Sequence, residues 1–426
     1  MGYIKNYDQL ASNHNRKVVL DLAETAFASI SPKEVFKNNF IIKGETLTIQ
    51  KEKYDLSKFE RVFLLGFGKG SAGNCKMVEE HLGDRLTEGY VIDVVEDEHF
   101  TKLKYTKGTH PLPSEENFTF TANAIEKLEQ ATEKDLVIIV TCGGGSVLFE
   151  APNTLSLERI TAVNKALLQS GANITEMNSI RKHLSKVKGG GLAKILFPAT
   201  VVNLIYSDVP GNDLSVIASG PLVKNHSSLK DVEKIMKKYD LAKKANLTME
   251  DFVENPTDAK YFKKVSNVLM LSNLTALNAM EKKARELGYD VHVMTDRLQG
   301  DAKVLGEQLI NETPHDQILL AGGESTVKVK GKGVGGRNQA LVLSALKHIQ
   351  GDTVVASFGT DGWDFTEFAG AIGDKDTLKK VKEMEIDVNE YINDDNSTRF
   401  FEKEGDGIVT GHLDSNVSDL YIVLRK

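Results

Sequence analysis

The sequence predicts an α/β protein of two domains, and three observations carry that prediction. At 426 residues the chain has room for two or three domains of about 100–200 residues each. Short apolar strands alternate with helical periodicity, the pattern of a parallel sheet covered on both faces. The pattern stops in the charged stretch 224–264 and then restarts, so the boundary is placed inside it, dividing residues 1–235 from 236–426.

Each element has its own signal. AETAFASISPKEV (residues 23–35) reads as a helix interrupted near Pro32, where a backbone donor is lost. RVFLLGFGKGSAG (61–73) is an apolar strand, a glycine turn and a helix start. YVIDVV (90–95) is a second strand, and 117–130 is helical by periodicity. DLVIIVT (135–141) is apolar and mostly β-branched, as a strand buried on both faces requires. Residues 155–169 form an amphipathic helix, and VVNLIYSDVPGND (201–213) a strand ending in a polar loop. After the boundary, 266–273 and 290–295 read as strands with a helix between them. QILLAGGESTVKVKG (317–331) reads as a hairpin through Gly322 and Gly323. TVVASFGTDG (353–362) is a strand with an acidic loop, and the final YIVLRK is expected at a sheet edge.

Composition narrows the function classes. A formal net charge of −7, with no basic stripe bearing aromatics, gives no reason to expect nucleic-acid binding. No apolar run is long enough to span a bilayer. The N-terminal residues lack the apolar core of a signal peptide, and MGYIKN lacks the Ser/Thr of a myristoylation motif. Cys75 and Cys142 lie apart in sequence and read as small buried hydrophobes in a cytoplasmic protein.

In open α/β sheets, ligands bind beyond the carboxyl ends of the strands. Lys69 follows the first such strand, in GFGKG. Gly143, Gly144, Gly145 and Ser146 follow the strand 135–141, with no Walker lysine after them. Asp208 follows the strand from 201, and Asp361 and Asp364 follow the strand from 353. Cations for a phosphoryl group and carboxylates for a hard divalent ion suit phosphoryl transfer. MNSIRKHLSKVKGGGLAK adds Arg181, Lys182, His183, Lys186 and Lys188 before a glycine triplet; the bland alternative is a solvated basic helix face. GKGVGGRNQALVLSA places Arg337, Asn338 and Gln339 in the first turn of a helix. The helix macrodipole opposes an arginine there, so either a bound anion or a carboxylate partner is expected. His183 and His412 read as satisfied hydrogen-bonding groups rather than catalysts.

TCGGGSVLFEAP, MNSIRKHLSKVKGGGLAK, SDVPGNDLSVIASGP, GGESTVKVKGKGVGGRNQ and GTDGWDFTEFAGAIGD occur in that order. They resemble the blocks of the MOFRL-type, or type II, glycerate 2-kinases, as do HPLPSEEN and TGHLDSNVSDL. The resemblance implies an N-terminal Rossmann-like parallel sheet and a smaller C-terminal mixed-sheet α/β domain, with the active site in the cleft between them. It implies phosphorylation of D-glycerate at the 2-hydroxyl by ATP with Mg²⁺ or another divalent cation. Lys69 and Arg337 correspond to the family's catalytic lysine and arginine. Gly323 and Glu324 of GGES, Asp361 of GTDG and Asn416 of the last block are drawn in as site residues. The chain departs from the family pattern at Trp363 and Phe365, at residues 413–415, at Ala340 and at Ser114.

The leading expectation is therefore an ATP-dependent kinase of D-glycerate, acting on a small molecule, without nucleic acid or membrane, and with a homodimer left open. Phosphorylation of another small hydroxy acid, or of the 3-hydroxyl, is the alternative chemistry. A non-catalytic sugar-acid or nucleotide sensor on the same fold is a second class, opposed by the joint retention of Lys69, Arg337 and Asp361. A dehydrogenase is a third. It is opposed because GFGKGSAG has no evident acidic residue about 20 positions on, at the end of the next strand.

Overall fold

The structure is a computed structural model that describes residues 2–96 and 99–426. The chain divides into two compact units. One comprises Phe36–Ser207 and Asn212–Met270; the other comprises Met1–Val35, Asp208–Gly211 and Leu271–Lys426. The boundary expected at 235/236 falls inside the helix Leu229–Tyr239. That helix buries Val232, Ile235 and Met236 in a core shared with Leu167, Ile180 and Leu184, so its apolar face ties it to the first unit.

The first unit carries a small antiparallel sheet of β1 (Phe40–Lys43), β2 (Thr46–Ile49) and β3 (Glu52–Asp55). Its main sheet is built from β4 (Arg61–Phe67), β5 (Glu88–Asp93), β6 (Leu103–Lys107), β7 (Asp135–Thr141), β8 (Thr200–Tyr206) and β9 (Val265–Leu271). The order is β6-β5-β4-β7-β8-β9, the doubly wound Rossmann arrangement, and the pairings from β6 through β8 are parallel. All seven residues of β7 are buried, as expected for a central strand covered by helices on both sides. Strand order reverses between β4 and β7, which makes their carboxyl ends the topological switch point.

β5 ends on Asp93, so an acidic residue does close the second strand, contrary to the sequence reading. Asp93 is fully buried and accepts from the N–H of Ala72, in the first turn of the helix Ser71–Leu82. It completes a helix terminus.

The second unit holds β10 (Asp290–Asp301), β11 (Gln317–Thr326), β12 (Val354–Gly359), β13 (Gly370–Gly373), β14 (Gly407–Ile408) and β15 (Asp419–Arg425). The order is β10-β11-β15-β12-β13-β14. β10 and β11 run parallel and the remaining pairs antiparallel, giving a mixed sheet. Two expectations are corrected here. YIVLRK is not an edge: β15 lies between β11 and β12, and its residues from Asp419 to Leu424 are buried, because an unbroken apolar run needs cover on both faces. GGES is not a hairpin turn: β11 passes straight through it. A Cβ on Gly323 would lie 2.2 Å from the carbonyl oxygen of Leu298, so the glycine permits close approach of β10.

The helix His14–Ser29 belongs to this second unit and is held by Arg16, which is fully buried. Its guanidinium donates to Asp374 at 2.9 Å and to both carboxylate oxygens of Asp406. Among the described residues no helix is long and apolar enough to cross a membrane.

Candidate active site

In the first unit, β4 and β7 deliver two loops to the switch point. The N–H of Lys69 donates to the carbonyl of Gly143 at 2.7 Å, and that of Cys142 to Phe67 at 3.0 Å. Gly68 has φ 111°, and a Cβ there would stand 2.4 Å from the carbonyl oxygen of Cys142, so only glycine allows the loops to touch. Gly144, with φ 74°, has the same role one layer out. Its missing Cβ would meet the His110 ring at 2.9 Å and Cε of Lys69 at 3.5 Å. Lys69 and His110 thus lie over Gly144, both exposed. The N–H groups of Gly143 and Gly144 meet no acceptor among the described residues. Gly145 and Ser146 begin the short helix Gly145–Leu148. This end of the sheet offers unspent N–H donors beside a cationic side chain, as an anion site requires. His110 was not singled out from the sequence, although it lies in the HPLP block.

The basic segment 181–188 is mostly interior, which overturns the picture of a solvated face. Lys182 and His183 are buried at the end of the helix Ile174–Leu184. Burial lowers the pKa values of Arg181 and Lys182. Arg181 donates to Asn164 at 2.9 Å, and Lys188 is paired with Glu150, both nearly inaccessible. Lys188 therefore meets a fixed internal carboxylate. His183 bonds the carbonyls of Val253 and Ser227, a satisfied core histidine as expected. Cys75 and Cys142 are buried and form no disulfide, and burial pushes Cys75 well up.

In the second unit, Arg337 opens the helix Arg337–Ala345. Its Nε and Nη2 donate to the two oxygens of Asp419, at 2.6 and 3.1 Å, and its Nη1 lies 2.8 Å from Oε1 of Glu324. The carboxylate partner is realised, twice over. Burial alone would depress the guanidinium, but the bond and charge of Asp419 outweigh it and raise its pKa. A guanidinium has five N–H donors, so two remain. Burial pushes Glu324 up, with Arg337 opposing.

Asp419 was missed from the sequence. It begins β15 opposite both Gly323 and Gly359 and is only 1% exposed. Its one sequence signal was an acidic residue heading an apolar run.

Asp364, expected as a metal ligand, is a helix cap. It accepts from the N–H groups of Asn338 and Gln339 at 3.2 and 2.9 Å, and from both their side-chain amides at 3.3 and 3.1 Å. Four donors saturate a carboxylate's acceptor sites. Burial still raises its pKa to about 6. Asn338, expected to contact ligand, spends its other amide hydrogen on Asp419 at 3.0 Å and accepts from Ser357. It supports Arg337 from beneath. Asn416 accepts from the N–H of Ser418 and shapes the last loop.

The glycine-rich loop before Arg337 also differs from expectation. Five consecutive N–H groups, from Lys330 to Val334, donate to Asp394, Asp395 and Asn396. They are turned away from any ligand.

Among the described residues no three acidic, histidine or cysteine side chains converge as a metal cage. Asp361 accepts one N–H, from Trp363, and burial pushes its pKa up. Asp208 follows β8 and receives the Ser418 hydroxyl on its carbonyl at 2.6 Å. Magnesium ordinarily takes one or two carboxylates, with phosphate oxygens and waters completing its shell. The residues fit a cation that arrives with a phosphorylated ligand.

Residues 18–254 match the domain of unknown function DUF4147, and residues 317–419 match the MOFRL family. The chain is similar to the glycerate 2-kinase of Pyrococcus horikoshii, 33% identical over 96% of this chain and 97% of that one. It is also similar to a putative hydroxypyruvate reductase of Agrobacterium vitis, 32% identical over 96% and 94%. The crystal structure of glycerate kinase from Thermotoga maritima superposes with a TM-score of 0.84 at 31% identity, covering 96% of this chain and 99% of that one. The doubly wound sheet, the mixed sheet around β15 and this likeness along nearly the whole chain have one reading: the protein belongs to the glycerate 2-kinase family, in which a DUF4147 segment is joined to a MOFRL segment.

Proposed function

We propose that this enzyme transfers the γ-phosphoryl group of ATP to the 2-hydroxyl of D-glycerate, giving 2-phosphoglycerate and ADP. The observation that carries the reading is the pair of unspent N–H groups at Gly143 and Gly144 with Lys69 lying over them. Phosphoryl transfer needs positioned donors and cations where charge spreads over the moving group. Lys69 is assigned to that group, as the cation that a Walker lysine would otherwise supply. Arg337, held in orientation by Asp419 and Glu324 with two N–H donors to spare, is assigned to phosphate oxygens of the donor. Asp361, with Asp208, would hold Mg²⁺, which when bound neutralises phosphate charge. A cytoplasmic setting suits two cysteines that form no disulfide.

The reductase named among the relatives suggests another chemistry, but this chain does not favour it. A dinucleotide site places an accessible acid at the end of the second strand, on the ribose. Here that acid is Asp93, fully buried on a helix terminus.

The test is phosphorus NMR of the product formed from ATP and D-glycerate, with a nicotinamide cofactor blank. A 2-phosphoglycerate resonance is expected. A 3-phosphoglycerate resonance would move the acceptor to the other hydroxyl, and nicotinamide-dependent turnover without ADP would replace the kinase reading.

A further inference from the structure

A cavity of about 320 Å³ opens in the mixed-sheet unit, with Arg337 in its wall. Pockets for organic ligands begin at about 300 Å³ and are mostly apolar with a few placed polar groups. This one has walls from Val327, Val329, Leu343 and Ile392. Its size and apolar character are wrong for a three-carbon hydroxy acid, which would need donors on every side.

Two features show that the cavity is built. Its rim, Gly333 and Gly335, lies flat against the segment behind it; Cβ atoms there would come 2.4 Å from Asn396 and 2.0 Å from Ser397. The rim is pinned by the five inward N–H bonds already described, so it is preformed. Phe365 stands at the mouth, 68% exposed, with φ 61°. A bulky side chain held at positive φ costs of order 1–3 kcal/mol and marks functional positions.

We propose that this cavity receives the nucleoside end of the phosphoryl donor, its base and ribose. The base lies between the apolar walls, and Phe365 covers it. Arg337 at the wall then meets the phosphates that leave the cavity. The proposal rests on the kinase reading for the identity of its ligand. It also assigns a task to a glycine-rich loop whose amides are unavailable to phosphate: the loop is a wall for the base.

The test is calorimetric titration of the full-length protein with ADP and, separately, with pyrophosphate, neither of which needs turnover. Ala340→Leu extends a side chain that lines the cavity into it. It should weaken ADP about tenfold, about 1.4 kcal/mol, and leave pyrophosphate within about twofold. Val329→Asn, at an exposed position, puts an amide on the apolar wall without threatening folding. It should weaken ADP in the same sense, and in the turnover assay raise the KM for ATP but not for D-glycerate. Unchanged ADP binding in a folded variant overturns the proposal. So does equal weakening of ADP and pyrophosphate, or a wild-type protein that binds pyrophosphate but no ADP. If wild type binds ADP selectively but phosphorylates no glycerate, the acceptor reading falls and the ADP arms still decide the cavity.

Discussion

Asp419→Asn would separate the positioning of Arg337 from its charge. In the structure Asp419 is 1% exposed and holds Nε and Nη2 of Arg337 at 2.6 and 3.1 Å. An amide of the same shape turns one of those acceptors into a donor that faces a donor. Removing one partner of a buried pair costs about 3–5 kcal/mol. Arg337 is a quarter exposed and retains Glu324 at 2.8 Å, so the loss should be near about 3 kcal/mol. At about 2–4 °C per kcal/mol for a unit of this size, the melting temperature should fall by roughly 6–12 °C. The guanidinium would swing toward Glu324, and a displacement of about 1 Å at a reacting group costs roughly 10²-fold. A coupled assay following ADP should therefore show kcat reduced about 10²-fold, with the KM for D-glycerate nearly unchanged. A folded Asp419→Asn variant with kcat close to wild type would show that the ion pair does not orient a catalytic arginine.

Lys69→Ala should lower kcat by about 10²–10³-fold, the cost of losing one preorganised donor, and leave the melting temperature unchanged because Lys69 is exposed. Near-normal turnover would remove Lys69 from the chemistry. Chelation with EDTA should abolish activity and Mg²⁺ restore it, with Asp361→Asn requiring more Mg²⁺ for half-maximal rate; full activity in chelator would refute the metal requirement. Glu404→Gln tests the acid pair behind Arg16. Burial and the neighbouring Asp406 raise Glu404 to about 9. A carboxyl whose folded pKa is raised gives stability that is complete below its unfolded value and is lost as pH rises through the folded one. Wild type should lose up to about 1.4 kcal/mol per pH unit between the carboxyl's unfolded value of 4.5 and about 9, and level off above that. The Gln variant should lack that slope in a denaturation series, and identical slopes would mean that Glu404 is already ionised at neutral pH.

How much of the site was legible depended on whether a residue acts through the chain's own geometry or through distant partners. The placement of Lys69 and the triple glycine at the carboxyl ends of β4 and β7 was readable because strand, turn and helix start follow one another locally. For Asp364 and Asn338 the hydrogen-bond partners were not legible. The first saturates a helix terminus and the second braces Arg337, which depends on how residues 26 and 81 positions away pack against them. Arg337 itself stood out by its conflict with the helix dipole, yet its resolution by Asp419 was invisible 82 residues downstream.

By itself, then, the sequence determined the alternation of strands and helices, the buried β7, the glycine turns and the chemistry carried by their flanking cations. Each of these follows from side-chain period, β-branching or backbone freedom within about ten residues. Tertiary structure alone decided that β15 is central, that the helix Leu229–Tyr239 belongs to the first unit, and that the helix His14–Ser29 belongs to the second through Arg16. It also decided which of two glycine-rich loops leaves amides without an acceptor among the described residues. Those outcomes turn on which surfaces find partners across hundreds of residues. A buried charge or amide costs several kcal/mol unless it is paired, so the folded chain settles on the arrangement that satisfies them together.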